Sequence, residues 1–258
     1  TLPAEESGVI KLDGNYTVST LQTNMTYDLN GYTLTFTGSC APRSGETLSF
    51  VDTSVTGDER GGTLKLSGVA GSNSAINPQA GAIVNVSNIK VECAGSAFYP
   101  QGNAAAVNIT NSDVTAAVYC VATNAAIPDN YGVIITLTNS TFVANAEDGD
   151  NCPVMLNVPG TLIMDNCTVT GDRMGVLVRA GTATITNCTI TATGNYSAKD
   201  DANKKYESSV TWGSGNEVPM AAIVVGSQTS AYKADAICTI TDTAINAPED
   251  DSRPAVYV

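Results

Sequence analysis

Short alternations of apolar and polar residues recur along the chain, punctuated by Gly, Ser, Asn and Asp. One phrase repeats: apolar, polar, apolar, polar, Asn, small, polar, apolar. Its first, imperfect copy is Val84-Asn85-Val86-Ser87-Asn88-Ile89-Lys90-Val91. It returns around Asn111, Asn139 and Asn166, and most cleanly as Ala183-Thr184-Ile185-Thr186-Asn187-Cys188-Thr189-Ile190. The last copy, Cys238 to Ile245, carries Asp242 in the Asn position. A period of two predicts strands with one buried face. The central residue advances by 23, 28, 27, 21 and 55 positions. A shorter apolar phrase precedes each copy: Ala75-Ile76-Asn77, Ala97-Phe98-Tyr99, Val118-Tyr119-Cys120, Val154-Met155-Leu156, Val176-Leu177-Val178, Ile223-Val224-Val225, then Val256-Tyr257-Val258.

Each unit therefore reads as strand, turn, strand, Asn corner, strand and variable loop. Three short strands cannot bury their apolar faces alone. Stacked units can, because each strand pairs with its equivalents above and below. Asn suits the corner, since it tolerates left-handed backbone and bonds neighbouring main chain. Aligned Asn side chains can also bond one another. The fold expected is all-β: a single-stranded right-handed parallel β-helix of about eight coils. One domain, 1–258, is expected, with irregular capping coils over 1–65. Regular coils follow over 66–258, with insertions near 124–133, 145–151, 194–219 and 226–236.

Composition narrows the function. Thr is about one residue in eight, which suits extended backbone. Carboxylates outnumber Lys and Arg by 25 to 12, for a net charge of −13, so nucleic acid is not an expected partner. No apolar run approaches the roughly 20 residues of a membrane span, so membrane insertion is not expected. There is no histidine, which removes imidazole bases, His metal ligands and Ser-His-Asp triads. The seven cysteines include no CxxC pair. They read as small buried hydrophobes, with a Cys167–Cys188 disulfide as the alternative.

The pattern resembles the right-handed parallel β-helix of the pectate-lyase-like superfamily. The opening Gly8-Val9-Ile10-Lys11-Leu12 and Tyr27-Asp28-Leu29-Asn30-Gly31-Tyr32-Thr33-Leu34-Thr35 is similar to the first coils of bacterial surface β-helix proteins. The resemblance implies export to the cell surface or the extracellular space. It also implies a groove built by the first strand of each coil and the loop leading to it. That fold hosts lyases, hydrolases, adhesins and stalks, so function has to come from the site.

The favoured expectation is a non-catalytic, adhesin-like or glycan-contacting protein. Its candidate ligand residues are Tyr99, Tyr119, Gln101, Asn157, Arg179 and Trp212, in columns that also hold Asn77 and Gln79. Rings stack on sugar faces while amides bond hydroxyls. Packing of these aromatics beneath loops is the alternative reading. Partners expected are a polysaccharide or a host or cell-surface protein. The competing expectation is a polysaccharide lyase or glycoside hydrolase acting on acidic polysaccharide. For it, Asp165 and Asp172 are the candidate acids, and Arg173 and Arg179 the base or charge neutraliser. No cofactor is expected. Glu147-Asp148-Gly149-Asp150-Asn151 and Ala247-Pro248-Glu249-Asp250-Asp251 are the oxygen-rich candidates for calcium, but neither has EF-hand spacing.

Overall fold

The computed structural model describes residues 1–123, 132–145, 152–193, 209–211, 217–219, 221–226, 235–247 and 254–258. Three parallel sheets wind around one core, making a parallel β-helix solenoid. Sheet 1 runs from Val9–Lys11 to Ala236–Thr241, and sheet 2 from Tyr16–Val18 to Ala244–Asn246, each with nine strands among the described residues. Sheet 3 has seven, from Ser74–Ile76 to Val256–Tyr257. A separate antiparallel pair, Ser209–Thr211 with Glu217–Pro219, lies inside the expected 194–219 insertion.

Register explains the core. One inward column of sheet 1 stacks Leu48, Val84, Val107, Ile135, Leu162, Ala183 and Cys238. The next stacks Tyr27, Phe50, Val86, Ile109, Leu137, Met164, Ile185 and Ile240. Full burial of each large aliphatic side chain contributes about 1.5–3 kcal/mol. At one end Tyr27 and Phe50 stack with ring centroids 5.7 Å apart.

From Asn88 onward, the corner from sheet 1 to sheet 2 turns on one left-handed residue per coil. Asn88, Asn111, Asn139, Asn166, Asn187 and Asp242 have φ of 60°, 49°, 48°, 52°, 54° and 48°. The first four form a ladder. Asn111, Asn139 and Asn166 each donate Nδ2–H to Oδ1 of the Asn one coil earlier, all at 2.9 Å. At the next coil Asn187 Nδ2 donates to Asp165 Oδ1 instead, at 3.0 Å. A second column runs beside it. The backbone N–H groups of Ile89, Ser112, Cys167 and Cys188 donate to the side chains of Ser112, Ser140, Cys188 and Thr243 respectively. All seven cysteines are free thiols, so Cys167 and Cys188 stack without a disulfide.

The coil before Asn88 turns differently. After Val51 the chain leaves the wall at Asp52, whose carboxylate is fully buried. It accepts N–H from Gly31, Gly62 and Ser54 at 2.7, 2.6 and 2.8 Å. Residues 53–61 then climb the ladder. Asn111 Nδ2 donates to the Gly57 carbonyl at 2.9 Å, and Asn139 Nδ2 to Asp58 Oδ1 at 2.7 Å. Arg60 closes this strap over the corner. It donates to Asn111 Oδ1 and to the Asn139 carbonyl, and faces Asp113 at 3.4 Å.

Candidate functional site

Sheet 3 carries the candidate site, and its register corrects one expectation. Phe98 pairs with Val121, and Val121 with Val154. The strand is therefore Val121–Thr123, three residues beyond the Val118-Tyr119-Cys120 phrase. Tyr119 sits in the approach to that strand, its carbonyl accepting from Ala97 N–H at 2.8 Å. Val121 belongs to the core rather than to an outward column.

The outward column beside Tyr99 is Ala122, Met155, Leu177 and Val224. All four are buried, packed with Cys152, Met174 and Ala221 into a second apolar cluster outside the wall. Tyr99 and Tyr119 are half-buried against it. Asn157 and Arg179 adjoin one another on successive coils, Arg179 N–H donating to the Leu156 carbonyl at 2.8 Å. Both are fully enclosed, so neither presents a surface to a large ligand. Asn157 N–H donates to Thr123 Oγ1 at 2.8 Å. Trp212 and the acidic run 147–151 lie outside the described residues.

Towards the N-terminal coils this wall opens. A cleft of about 750 Å³ lies over Asn77, Gln79, Tyr99 and Gln101. The segment from Gly68 to Asn73, which leads into the Ser74–Ile76 strand, and Ser39 complete its lining. The lining contains amides, hydroxyls, backbone and one aromatic ring, and no carboxylate, lysine or arginine. The amides are oriented by the chain. Asn77 Nδ2 donates to the Ser74 carbonyl at 2.9 Å, Gln79 Nε2 to the Asn77 carbonyl at 2.8 Å, and Asn73 Nδ2 to the Ala70 carbonyl at 3.1 Å. Tyr99 and Gln101 thus share one cleft, whereas Tyr119, Asn157 and Arg179 do not line it. The 68–74 side was missed in the sequence. Its run Gly68-Val69-Ala70-Gly71-Ser72-Asn73-Ser74 is the composition of a turn, and that was the available signal.

The residues proposed for catalysis are spread around the coil. Asp165 ends a sheet 1 strand and accepts from Asn187, a ladder role. Asp172 and Arg173 lie in the turn before Val176–Val178, and Arg179 lies after that strand. Asp172 accepts Thr193 Oγ1–H at 2.9 Å. Arg173 is buried. Among the described residues no three His, Cys, Asp or Glu side chains converge as metal ligands. Comparison of the chain with protein-family models, curated proteins and solved structures finds no match.

Proposed function

We propose that this protein is a non-catalytic, glycan-contacting β-helix whose ligand seats in the cleft over Asn77, Gln79, Tyr99 and Gln101. The observation that carries the reading is the lining itself: an aromatic ring beside side-chain amides and hydroxyls, with no ionised side chain. Such a surface stacks a sugar face and bonds its hydroxyls. Acid–base cleavage of a glycosidic bond usually takes two carboxylates flanking the bond. The cleft lining supplies none, and Asp165 and Asp172 lie elsewhere on the coil. An adhesin-like role at a cell surface or outside the cell, bacterial origin, and kinship with the pectate-lyase-like superfamily belong to the same proposal. They rest on the opening-coil phrases of the sequence.

The test is size-exclusion chromatography of fluorescently labelled polysaccharides incubated with the protein. Co-elution without shortening, lost in Tyr99→Ala/Gln101→Ala, is the expected result. Shortened chains would replace the proposal with an enzyme. Co-elution that survives the double substitution would move the site away from this cleft.

A further inference from the structure

The cleft has a polarity of its own beyond lacking charge. Asn73, Asn77 and Gln79 each commit their side-chain nitrogen to a backbone carbonyl of the cleft wall. That fixes the amide orientation, because a carbonyl accepts only from the NH₂ end. Among the described residues, the oxygen end of each amide accepts no hydrogen bond. Three oriented amide oxygens therefore stand as acceptors beside the hydroxyl and N–H donors of a lining that carries no charge. The protein around it is strongly anionic, at −13.

Resting on the glycan-binding reading, we infer that the ligand of this cleft is an uncharged, hydroxyl-rich glycan. Hydroxyls donate to the three amide oxygens. A uronate or sulfate group would find no lysine or arginine in the lining to offset the desolvation of its charge, inside a field of like charge. The nearest cation in the same column, Arg43, stands one coil before Gln79 and is opposed by Glu46, whose carboxyl is held below its ordinary range by hydrogen bonds from Arg43 N–H and Thr23, and by the Arg43 charge. A cationic amino-glycan would find amide oxygens but no carboxylate in the lining to offset the desolvation of its ammonium groups. Binding to a neutral glycan is accordingly insensitive to salt, since no ion pair forms.

Affinity gel electrophoresis of the full chain tests this, with gels containing β-glucan, β-mannan or galactan, then polygalacturonate, alginate or chitosan. Retardation is expected in at least one neutral gel, unchanged between low and high salt. Tyr99→Ala/Gln101→Ala should abolish it. Gln79→Lys should weaken it about tenfold, the effect of one lost hydrogen bond. Its thermal unfolding should match the parent, because Gln79 is on the cleft surface. Retardation only by polygalacturonate, alginate or chitosan, yet lost in the double variant, overturns the neutral ligand and leaves the binding cleft standing. Retardation by none, or retardation indifferent to the double variant, overturns both.

Discussion

Arg60 Nη2 donates to the carbonyl oxygen of Asn139 at 2.8 Å, although 79 positions separate them in sequence. The same guanidinium reaches Asn111, one coil lower, and faces Asp113. One planar group thereby ties an excursion from an early coil to two later rungs of the ladder. In a solenoid, where each coil otherwise contacts only its neighbours, such a strap couples coils that would open separately.

Arg60→Ala should lower the unfolding free energy by roughly 1–3 kcal/mol, the cost of losing charge-assisted bonds to partly buried acceptors. Arg60→Lys should recover little, since one ammonium cannot reproduce the forked geometry. Urea unfolding of the three proteins checks this. Equal midpoints would show that the strap is ornamental to stability.

Asp52 sets an acid-side dependence. Burial pushes its carboxyl up, but hydrogen bonds from the Ser54 hydroxyl and from the Gly31, Gly62 and Ser54 amides outweigh that and hold it below the ordinary value. A folded-state pKa lowered in this way stabilises the fold above the unfolded value of about 3.9. That stability is lost as pH falls through the folded value. Asp52→Asn should be less stable at neutral pH, because an amide NH₂ then confronts N–H donors. Its stability should also fall less steeply below about pH 4 than the parent's. Parallel pH profiles for the two proteins would remove Asp52 from the account.

In the column beside the Asn ladder, thiol and hydroxyl do the same work. Cys188 Sγ accepts Cys167 N–H at 3.4 Å and donates to the Thr186 carbonyl at 3.0 Å. Ser140 Oγ accepts Ser112 N–H at 3.1 Å and donates to the Thr138 carbonyl at 2.7 Å. Cys167 follows the same pattern one coil earlier, its Sγ donating to the Asp165 carbonyl at 3.4 Å. Cys188→Ser should therefore be tolerated to within about 1 kcal/mol, whereas Cys188→Ala, which strands the Cys167 amide, should cost about 1–3 kcal/mol. Calorimetry ranks them, and an Ala variant as stable as the Ser variant would refute the accepting role.

The coil was legible because its signals are periodic. Asn88, Asn111, Asn139, Asn166 and Asn187 recur at the spacing of one coil, and Asp242 fills the same left-handed corner. The Arg60 strap has no period, and nothing local in 53–61 points to residues 50 to 80 positions ahead. The sheet 3 slip has another cause. Val118-Tyr119-Cys120 and Val121-Ala122-Thr123 both fit a short apolar strand, and only pairing with Phe98 and Val154 separates them. The buried outer column was readable in principle. Val154-Met155-Leu156, Val176-Leu177-Val178 and Ile223-Val224-Val225 are continuous apolar runs, the mark of a strand covered on both faces. Only the sheet 3 part of the cleft was legible, because the rest is a turn, Gly68 to Asn73, whose residues follow no repeat.

That turn can be tested through Gly68. A Cβ there would lie 2.2 Å from both the carbonyl carbon and the oxygen of Thr37, and 2.6 Å from Gly38 N, all backbone atoms that cannot swing away. The close approach holds the 68–74 segment against the preceding coil and so fixes its part of the cleft. Gly68→Ala should shift that segment, cost about 1–3 kcal/mol of stability through overpacking, and weaken glycan binding without touching Tyr99 or Gln101. Gly226→Ala is the matched control: its Cβ would meet nothing within 4 Å among the described residues, and its stability should stay within about 0.5 kcal/mol of the parent's. Thermal unfolding and affinity electrophoresis on both variants decide the point. If Gly68→Ala binds the polysaccharide as tightly as Gly226→Ala does, the 68–74 side takes no part in holding the ligand, and the site shrinks to the sheet 3 wall alone.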